Sequence, residues 1–233
     1  LLINKGHSVG CVSTDNIAKT SREAGNLIFS NPNYNNSHGL LGLFSRFKNY
    51  VYSEEFGNEF ESYIEVNRPD IVHLHIIYGI LSNSIIHVLK KHNIKTIMTV
   101  HDFKMLCPAY LFIDGQSNVC EKCAGGNYLH SIQKKCTRDS YLFSTVSALE
   151  STFRDKLYAY EETVDHFIFV SEFSRNKHLQ YNSKFESKSS VLNNFTDPGK
   201  HLEVVGGKTE KYFYIGRLSR EKGIQTLLDA FSE

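Results

Sequence analysis

Several apolar, strand-like runs end in side chains that can do chemistry. His73 and His75 close DIVHLH, and His101 with Asp102 follows TIMTV. Ser171 and Glu172 follow HFIFV, and Asn193 and Asn194 close SSVLNN. Imidazoles, carboxylates and hydroxyls can orient a polar substrate or exchange protons with it. Any one of them alone reads as a satisfied polar strand end. As a set along one sheet edge they read as a cleft, because open parallel sheets bind ligands at the carboxyl ends of their strands. A second group of candidates surrounds a turn: Gly216, Arg217 and Lys222 in IGRLSREKGI, just before a helical pattern. Backbone N–H groups at a helix start favour an anion, and two cations beside them suit a diphosphate. The third group is Cys107-x12-Cys120-x2-Cys123-x12-Cys136, a ligand number and spacing that suit a tetrahedral metal site.

The elements that must position these residues alternate. Strands are expected at 8–14, 70–75, 95–100, 166–171 and 189–194, mostly near-continuous apolar runs of the kind covered on both faces in a parallel sheet. A helix is expected over 79–92, with Leu81, Ile85, Val88 and Leu89 on one side. Another is expected over 140–160, where Leu142, Val146, Leu149, Phe153 and Leu157 form one apolar stripe. This alternation predicts an α/β fold, a doubly wound, Rossmann-like parallel sheet. Residues 15–50 read as a long connection with a short helix near LLGLFSRF, and residues 102–138 as a cysteine-bearing insertion. TDPGKHLEVVGGKTE reads as a linker. A strand YFYIG (212–216) and a helix follow, the start of a second Rossmann-like domain. The expected division is an N-terminal domain over 1–200, then linker and second domain over 201–233. Residues 1–7 resemble the last turn of a helix with its Gly6 stop, and the final helix has no strand after it, so a longer protein is expected, with a central strand position left empty here.

Bulk properties narrow the classes. The chain has 233 residues, 41% hydrophobic and 22% charged, with a net charge of +1. That leaves no basic field for nucleic acid. No apolar run nears the roughly 20 residues that cross a bilayer, and no basic segment leads into an apolar one at the start. The expected setting is cytoplasmic and reducing, where five cysteines read as thiols or metal ligands rather than disulfides.

GRLSREKGI, after a strand and opening a helix, resembles the donor-binding motif of family 4 glycosyltransferases of the GT-B fold. RPDIVHLH, TIMTVHDF, FIFVSEFSR and VLNNFTDP resemble further segments of that family, over essentially the whole chain. The resemblance implies a retaining transfer of a sugar from a nucleotide-diphosphate donor to a glycan or lipid-linked acceptor, in polysaccharide or glycolipid synthesis. It implies that Arg217 and Lys222, with Gly216 in the turn, bind the donor diphosphate and steady the leaving group without a catalytic metal. His101 would hydrogen-bond the transferred sugar and Asp102 would support it. His75, Ser171 and Glu172 would line the acceptor side. Peripheral association with the inner face of a membrane is a further implication. The acidic donor-sugar motif of the family, Glu-x7-Glu, would fall beyond residue 233, and the Gly-rich first loop before residue 1. As it stands, the chain is expected to be inactive by itself.

For the four cysteines the readings are a structural zinc or iron–sulfur site, unliganded or redox-active thiols, and a catalytic cysteine. Cys11 reads as a packing residue inside a strand. A metal-stabilised α/β binding module without catalysis is the alternative to the transferase. A dinucleotide enzyme lacks any G-x-G-x-x-G after a strand here.

Overall fold

The structure is a computed structural model that describes residues 2–14, 26–29, 45, 47–79, 81–195 and 212–232. LLGLFSRF lies almost wholly outside them, as does the linker 196–210. The chain divides into two compact units, Leu1–Asn194 and Phe195–Glu233.

The first unit is α/β with parallel strands. Its order is β1 (Val12–Thr14), β2 (Leu27–Phe29), α1 (Glu54–Asn67), β3 (Ile71–His75), α2 (Ser84–Lys91) and β4 (Lys95–Val100). Then come α3 (Leu129–Gln133), α4 (Tyr141–Phe153), α5 (Tyr160–Thr163), β5 (His166–Phe169), α6 (Glu172–Tyr181) and β6 (Ser189–Val191). Strands β3-β4-β5-β6 form one parallel sheet in that order, and β1 and β2 form a separate parallel pair. Parallel neighbours need a crossover, and α2 supplies it between β3 and β4. The architecture is compatible with a Rossmann-like layer.

Spacing explains the helices that face the core. Helix α1 lies outside the elements expected above, yet Phe56, Phe60 and Ile64 recur every fourth residue and are buried. Ser53 caps it by accepting a hydrogen bond from the Phe56 amide at 3.4 Å, and Glu54 and Glu55 sit in the first turn, where the helix dipole favours them. Arg68 ends it in the left-handed region (φ 43°), ahead of Pro69. Helix α2 buries Ile85, Val88 and Leu89 as its spacing predicts, but starts at Ser84 instead of 79. These side chains meet Phe60, Met98, Phe167 and Phe169 in one core. Each large side chain so buried contributes about 1.5–3 kcal/mol.

Helix α4 inverts the expectation. Its apolar stripe points outward: Leu142 is 53% exposed, Leu149 42%, Phe153 40% and, in the π-helical turn that follows, Leu157 65%. Ser144, Ser147, Ala148, Glu150 and Ser151 are buried instead. The inner face is chosen by what packs there. The backbone amide of Thr137 donates to Ser144 Oγ at 3.0 Å, and small serines let the insertion approach closely.

Other expectations need correction. Residues 27–29 form strand β2 inside what reads as a long connection. Cys11 precedes β1 and is exposed, so it does not pack in a core. In the second unit, YFYIG is not a strand, because a strand exists only through its ladder and no described residue pairs with it. The helix after it, α7 (Ile224–Ser232), is present, and Tyr212 packs its ring against Phe231 at 4.6 Å. Among the described residues no helix is long and apolar enough to cross a membrane.

Candidate functional site

The carboxyl edge of the four-stranded sheet collects the polar strand ends. Register pairs His73 with Ile97 and His75 with Thr99, so His101 emerges one strand over and just beyond His75. Along β3, Leu74 points into the core while His73 and His75 share the exposed face. His75 Nδ1 and His101 Nε2 are 3.0 Å apart, so a single proton lies between them and ties the tautomer of one ring to that of the other. His73 stacks beside His75, centroids 4.2 Å apart, and its Nε2 meets Thr99 Oγ1 at 2.7 Å. Burial first, then the positive charge of neighbouring imidazoles, pushes the pKa of His73 and of His75 down. Both rings are therefore mainly neutral at pH 7, able to accept one hydrogen bond and donate another.

Asp102 does not reach His101 through a hydrogen bond. Its Oδ1 accepts from the Lys104 amide at 2.9 Å, a local turn that holds the chain as it leaves β4. Burial raises its pKa, opposed by that amide and by the Lys104 charge. Ser171 is the N-cap of α6, its hydroxyl accepting from the Ser174 amide at 3.1 Å, and Glu172 lies exposed in the first turn. Asn193 and Asn194 are exposed beyond the end of β6. The edge thus brings His73, His75 and His101 into contact.

In the second unit, Arg217 precedes the turn Arg220–Lys222 and is solvent-facing. Its Nη2 lies 3.3 Å from Glu221 Oε1, and Tyr214 donates its hydroxyl to the Arg217 carbonyl at 2.9 Å. A Cβ at position 216 would come within 2.7 Å of the Tyr214 hydroxyl oxygen, so glycine allows the chain to pass the ring. The Lys222 amide donates to the Ser219 carbonyl at 3.0 Å, and Lys222 is exposed two residues before the start of α7 at Ile224.

The insertion is more ordered than a loop without a core. Leu106, Cys107, Ala109, Phe112 and Ala124 form one buried cluster, and Cys123, Tyr128 and Ala148 another. Lys177 meets both carboxylate oxygens of Glu121, at 3.0 and 3.1 Å, and Tyr181 donates to Glu121 at 2.5 Å, pinning the Cys120–Cys123 segment onto α6. Burial, then the nearby Cys107 thiol, drives Cys123 up to about 12. Burial likewise raises Cys107 and Cys136, against backbone amides that pull each back. The four thiols therefore share one neighbourhood, and amides that favour thiolates fit a thiophilic metal in kind. Their spacing is looser than a closed tetrahedron. Among the described residues the one group of potential ligand atoms all within 4.8 Å of each other is Glu61, Glu65 and His92. That group is an ion-pair cluster: Glu61 Oε1 lies 2.7 Å from Lys91 Nζ and 2.6 Å from His92 Nε2.

A buried charge network links the insertion to α4. Lys104 Nζ donates to the Pro108 carbonyl at 3.0 Å and pairs with Glu150 Oε2 at 3.0 Å. Glu150 Oε2 also lies 3.5 Å from Arg154 Nη1, whose Nη2 meets Asp155 Oδ1 at 3.0 Å, and Tyr128 donates to Asp155. Burial acts to raise Glu150, but the charges of Arg154 and Lys104 win and hold it ionised. Only the i, i+4 spacing of Glu150 and Arg154 hints at this in the sequence. Lys104 thus joins the Asp102 turn to the first turn of the cysteine insertion. Beside the network lies a cavity of about 120 Å³, lined by Arg154, Asp155, Tyr128, Glu161 and Tyr181 among others.

No family model matches the sequence, and no solved structure matches it. A curated relative does: an uncharacterized 42.6 kDa protein in the cps region of Klebsiella pneumoniae, 25% identical over 232 residues. The match covers 95% of this chain and 55% of that protein. The chain therefore spans about half the length of the curated relative it matches.

Proposed function

We propose that the protein, at full length, is a retaining glycosyltransferase of GT-B type that builds a cell-surface glycan. The observation that carries the reading is the contact of His75 with His101 at the carboxyl edge of the parallel sheet, in the two segments that resemble the family's strand ends. The relative's place in a cps region, a capsular-polysaccharide gene region, supports the same class of product. In this reading His101 hydrogen-bonds the transferred sugar, with its tautomer set by His75. Asp102 acts on the chain path rather than on the ring. His75, Ser171 and Glu172 face the acceptor, a glycan or a lipid-linked sugar.

When transfer occurs, the bond from the anomeric carbon to the diphosphate oxygen breaks, a bond to the acceptor oxygen forms on the same face, and the acceptor hydroxyl's proton passes to the departing diphosphate oxygen. Negative charge grows on the departing nucleoside diphosphate. Arg217 and Lys222, beside the start of α7 and with Gly216 in the approach, stabilise that charge. Cys107, Cys120, Cys123 and Cys136 would hold a zinc ion or iron–sulfur cluster, which supplies order to the insertion and takes no part in transfer.

A screen of nucleotide-sugar donors on the full-length protein, scored by release of nucleoside diphosphate, tests this. Turnover is expected to fall at least about 100-fold in His101→Ala and in Lys222→Ala, as for loss of a transition-state contact. Near-normal rates in both variants would overturn it. The shared neighbourhood of the four thiols favours one other reading, a metal-stabilised binding module. That reading predicts stoichiometric metal in the same sample with no nucleotide-sugar affinity and no turnover.

A further inference from the structure

The cavity beside the buried charge network is built around an arginine whose hydrogen bonds are incomplete. Arg154 is 1% exposed. Its Nε donates to Asp155 Oδ1 at 3.1 Å, while its Nη1 lies 3.5 Å from Glu150 Oε2, a long bond. Among the described residues Nη2 has no hydrogen-bond partner, although it stands within ion-pair distance of Asp155 Oδ1. A guanidinium carries five N–H donors in a fixed fork, and a buried donor without an acceptor is costly. Arg154 lines the cavity, so a ligand held there can supply the missing acceptor. Leu106, Tyr128 and Tyr160 are buried in the wall, and Glu161, Tyr181 and Asn182 are half-buried at the opening. Glu161 belongs to α5, which leads into β5, and Asn182 follows α6 on the way to β6. That side of the cavity therefore stands toward the amino ends of the strands, and no lining residue is shared with the histidine edge.

Charge and polarity narrow what the cavity can hold. Lys104 and Arg154 are answered by Glu150 and Asp155, and Glu161 adds a further carboxylate, so an anion would meet an excess of negative charge. A metal ion would need ligand atoms gathered around it. Among the described residues the one group so gathered is Glu61, Glu65 and His92, none of which lines this cavity. An apolar ligand would leave Arg154 Nη2 buried and unsatisfied. What remains is an uncharged molecule rich in hydroxyls, each able to accept one hydrogen bond and donate another. Size fits such a ligand: a single water occupies about 10–15 Å³ of space of this kind, and the cavity offers about 120 Å³. That is room for one sugar ring. The rings of Tyr128 and Tyr181 add flat apolar faces for its C–H groups.

We propose that this cavity is a binding site for a small uncharged polyol, one sugar ring in size. The ligand accepts a hydrogen bond from Arg154 Nη2 and donates its hydroxyls to the side-chain oxygens of Glu161 and Asn182. A free monosaccharide and the end unit of a glycan chain present the same chemistry to it. The inference concerns binding alone and does not depend on the transferase reading. It also gives the charge network a function. Glu150 joins Arg154 to Lys104, whose amide bonds to Asp102, so an occupied cavity steadies the start of the insertion.

Hydrogen–deuterium exchange of the full-length protein tests it. The probes are D-glucose, D-galactose, myo-inositol and maltose, with glucuronate as the anionic control and cyclohexanol as the apolar one. At least one neutral probe is expected to slow exchange across 124–128, 154–161 and 181–185, by about threefold at twice its dissociation constant. Protection by maltose as well as by glucose would point to the end unit of a glycan, and protection by monosaccharides alone to a free sugar. Glu161→Ala is expected to weaken binding about tenfold, as for one lost hydrogen bond to a charged group. Ala124→Leu, which fills the cavity from its wall, is expected to abolish it. Glu161 is half-buried at the opening, so its variant should keep the parent's far-UV circular dichroism and decides the matter if Ala124→Leu misfolds. The proposal fails if no neutral probe protects these segments, or if Glu161→Ala binds as the parent does. It also fails if a control protects as well as the neutral probes, or if slowing is uniform along the chain, the mark of sugar excluded from the surface. Slowing confined to 73–76 and 99–102 would assign the sugar to the histidine edge and overturn it. Since the test reads binding alone, its failure would leave the turnover test above untouched.

Discussion

At the scale of single residues, two buried polar groups determine how the protein responds to mutation and to pH. Glu150 is enclosed with Lys104 and Arg154 and shares one carboxylate oxygen between them. Removing one member of a buried charge set leaves the others uncompensated, which costs about 3–5 kcal/mol. Glu150→Gln is therefore expected to lower the denaturation midpoint strongly, and a urea titration showing a loss below about 1 kcal/mol would contradict the network. His178 is the second group. Its Nδ1 donates to the Ser174 carbonyl at 2.8 Å, its Nε2 has no partner, and Phe103, Phe169 and Phe185 surround the ring. Burial pushes its pKa down to about 4. The unfolded chain takes up this proton near pH 6.5 and the folded chain only near 4. Stability is thus full above 6.5 and falls as the pH drops toward 4. By about pH 5 the loss should reach roughly 2 kcal/mol. His178→Phe should flatten that part of the stability curve, whatever it costs at neutral pH; an unchanged slope would show that other groups carry it.

At the scale of elements, the insertion over 102–138 behaves as a small folded piece clamped between α4 and α6. Gly115 shows how tightly it closes, because a Cβ there would come within 1.9 Å of the Lys134 carbonyl oxygen. That obstacle is backbone and cannot rotate away. Gly115→Ala should force the turn at 114–118 off the strand-like pairing of Ile113 with Val119, with a cost at the upper end of the 1–3 kcal/mol of overpacking. Amide hydrogen exchange is expected to quicken across 112–136 and stay unchanged in β4 and β5. Uniform exchange throughout would mean the insertion is not a separate unit of stability. The insertion begins at Asp102 itself, and the Lys104 amide bonds back to that carboxylate in the turn that carries the chain out of β4, so disorder in the insertion should reach His101.

At the scale of the whole molecule, the two groups of candidate residues stand on different units: the histidines on Leu1–Asn194, and Arg217 with Lys222 on Phe195–Glu233. A ligand that binds the native state alone stabilises it by mass action, about 2.7 kcal/mol at a hundred times its dissociation constant. The transferase reading expects the full-length protein to gain that much with its donor, and Lys222→Ala to lose most of the gain. A thermal midpoint unmoved by every nucleotide sugar tried would favour the binding module.

Much of the first unit is legible in the chain itself. The run at 95–100 is strand β4 end to end, those at 70–75, 166–171 and 189–194 contain the other three strands of the sheet, shortened at their ends, and the period of Ile85, Val88 and Leu89 marks the buried side of α2. Strand ends also disclose which polar residues share the carboxyl edge, because a parallel sheet aligns them by its topology. Other features depend on neighbours distant in sequence. A three-and-four spacing announces that α4 has an apolar stripe, yet cannot say whether protein or solvent lies opposite it. Lys104 reads as an ordinary surface lysine until Glu150 and the Pro108 carbonyl enclose it. Periodicity is a property of the local backbone, so the sequence alone determines it; burial and contact are properties of what packs against that backbone, so only the tertiary structure decides which face turns inward and which histidines meet.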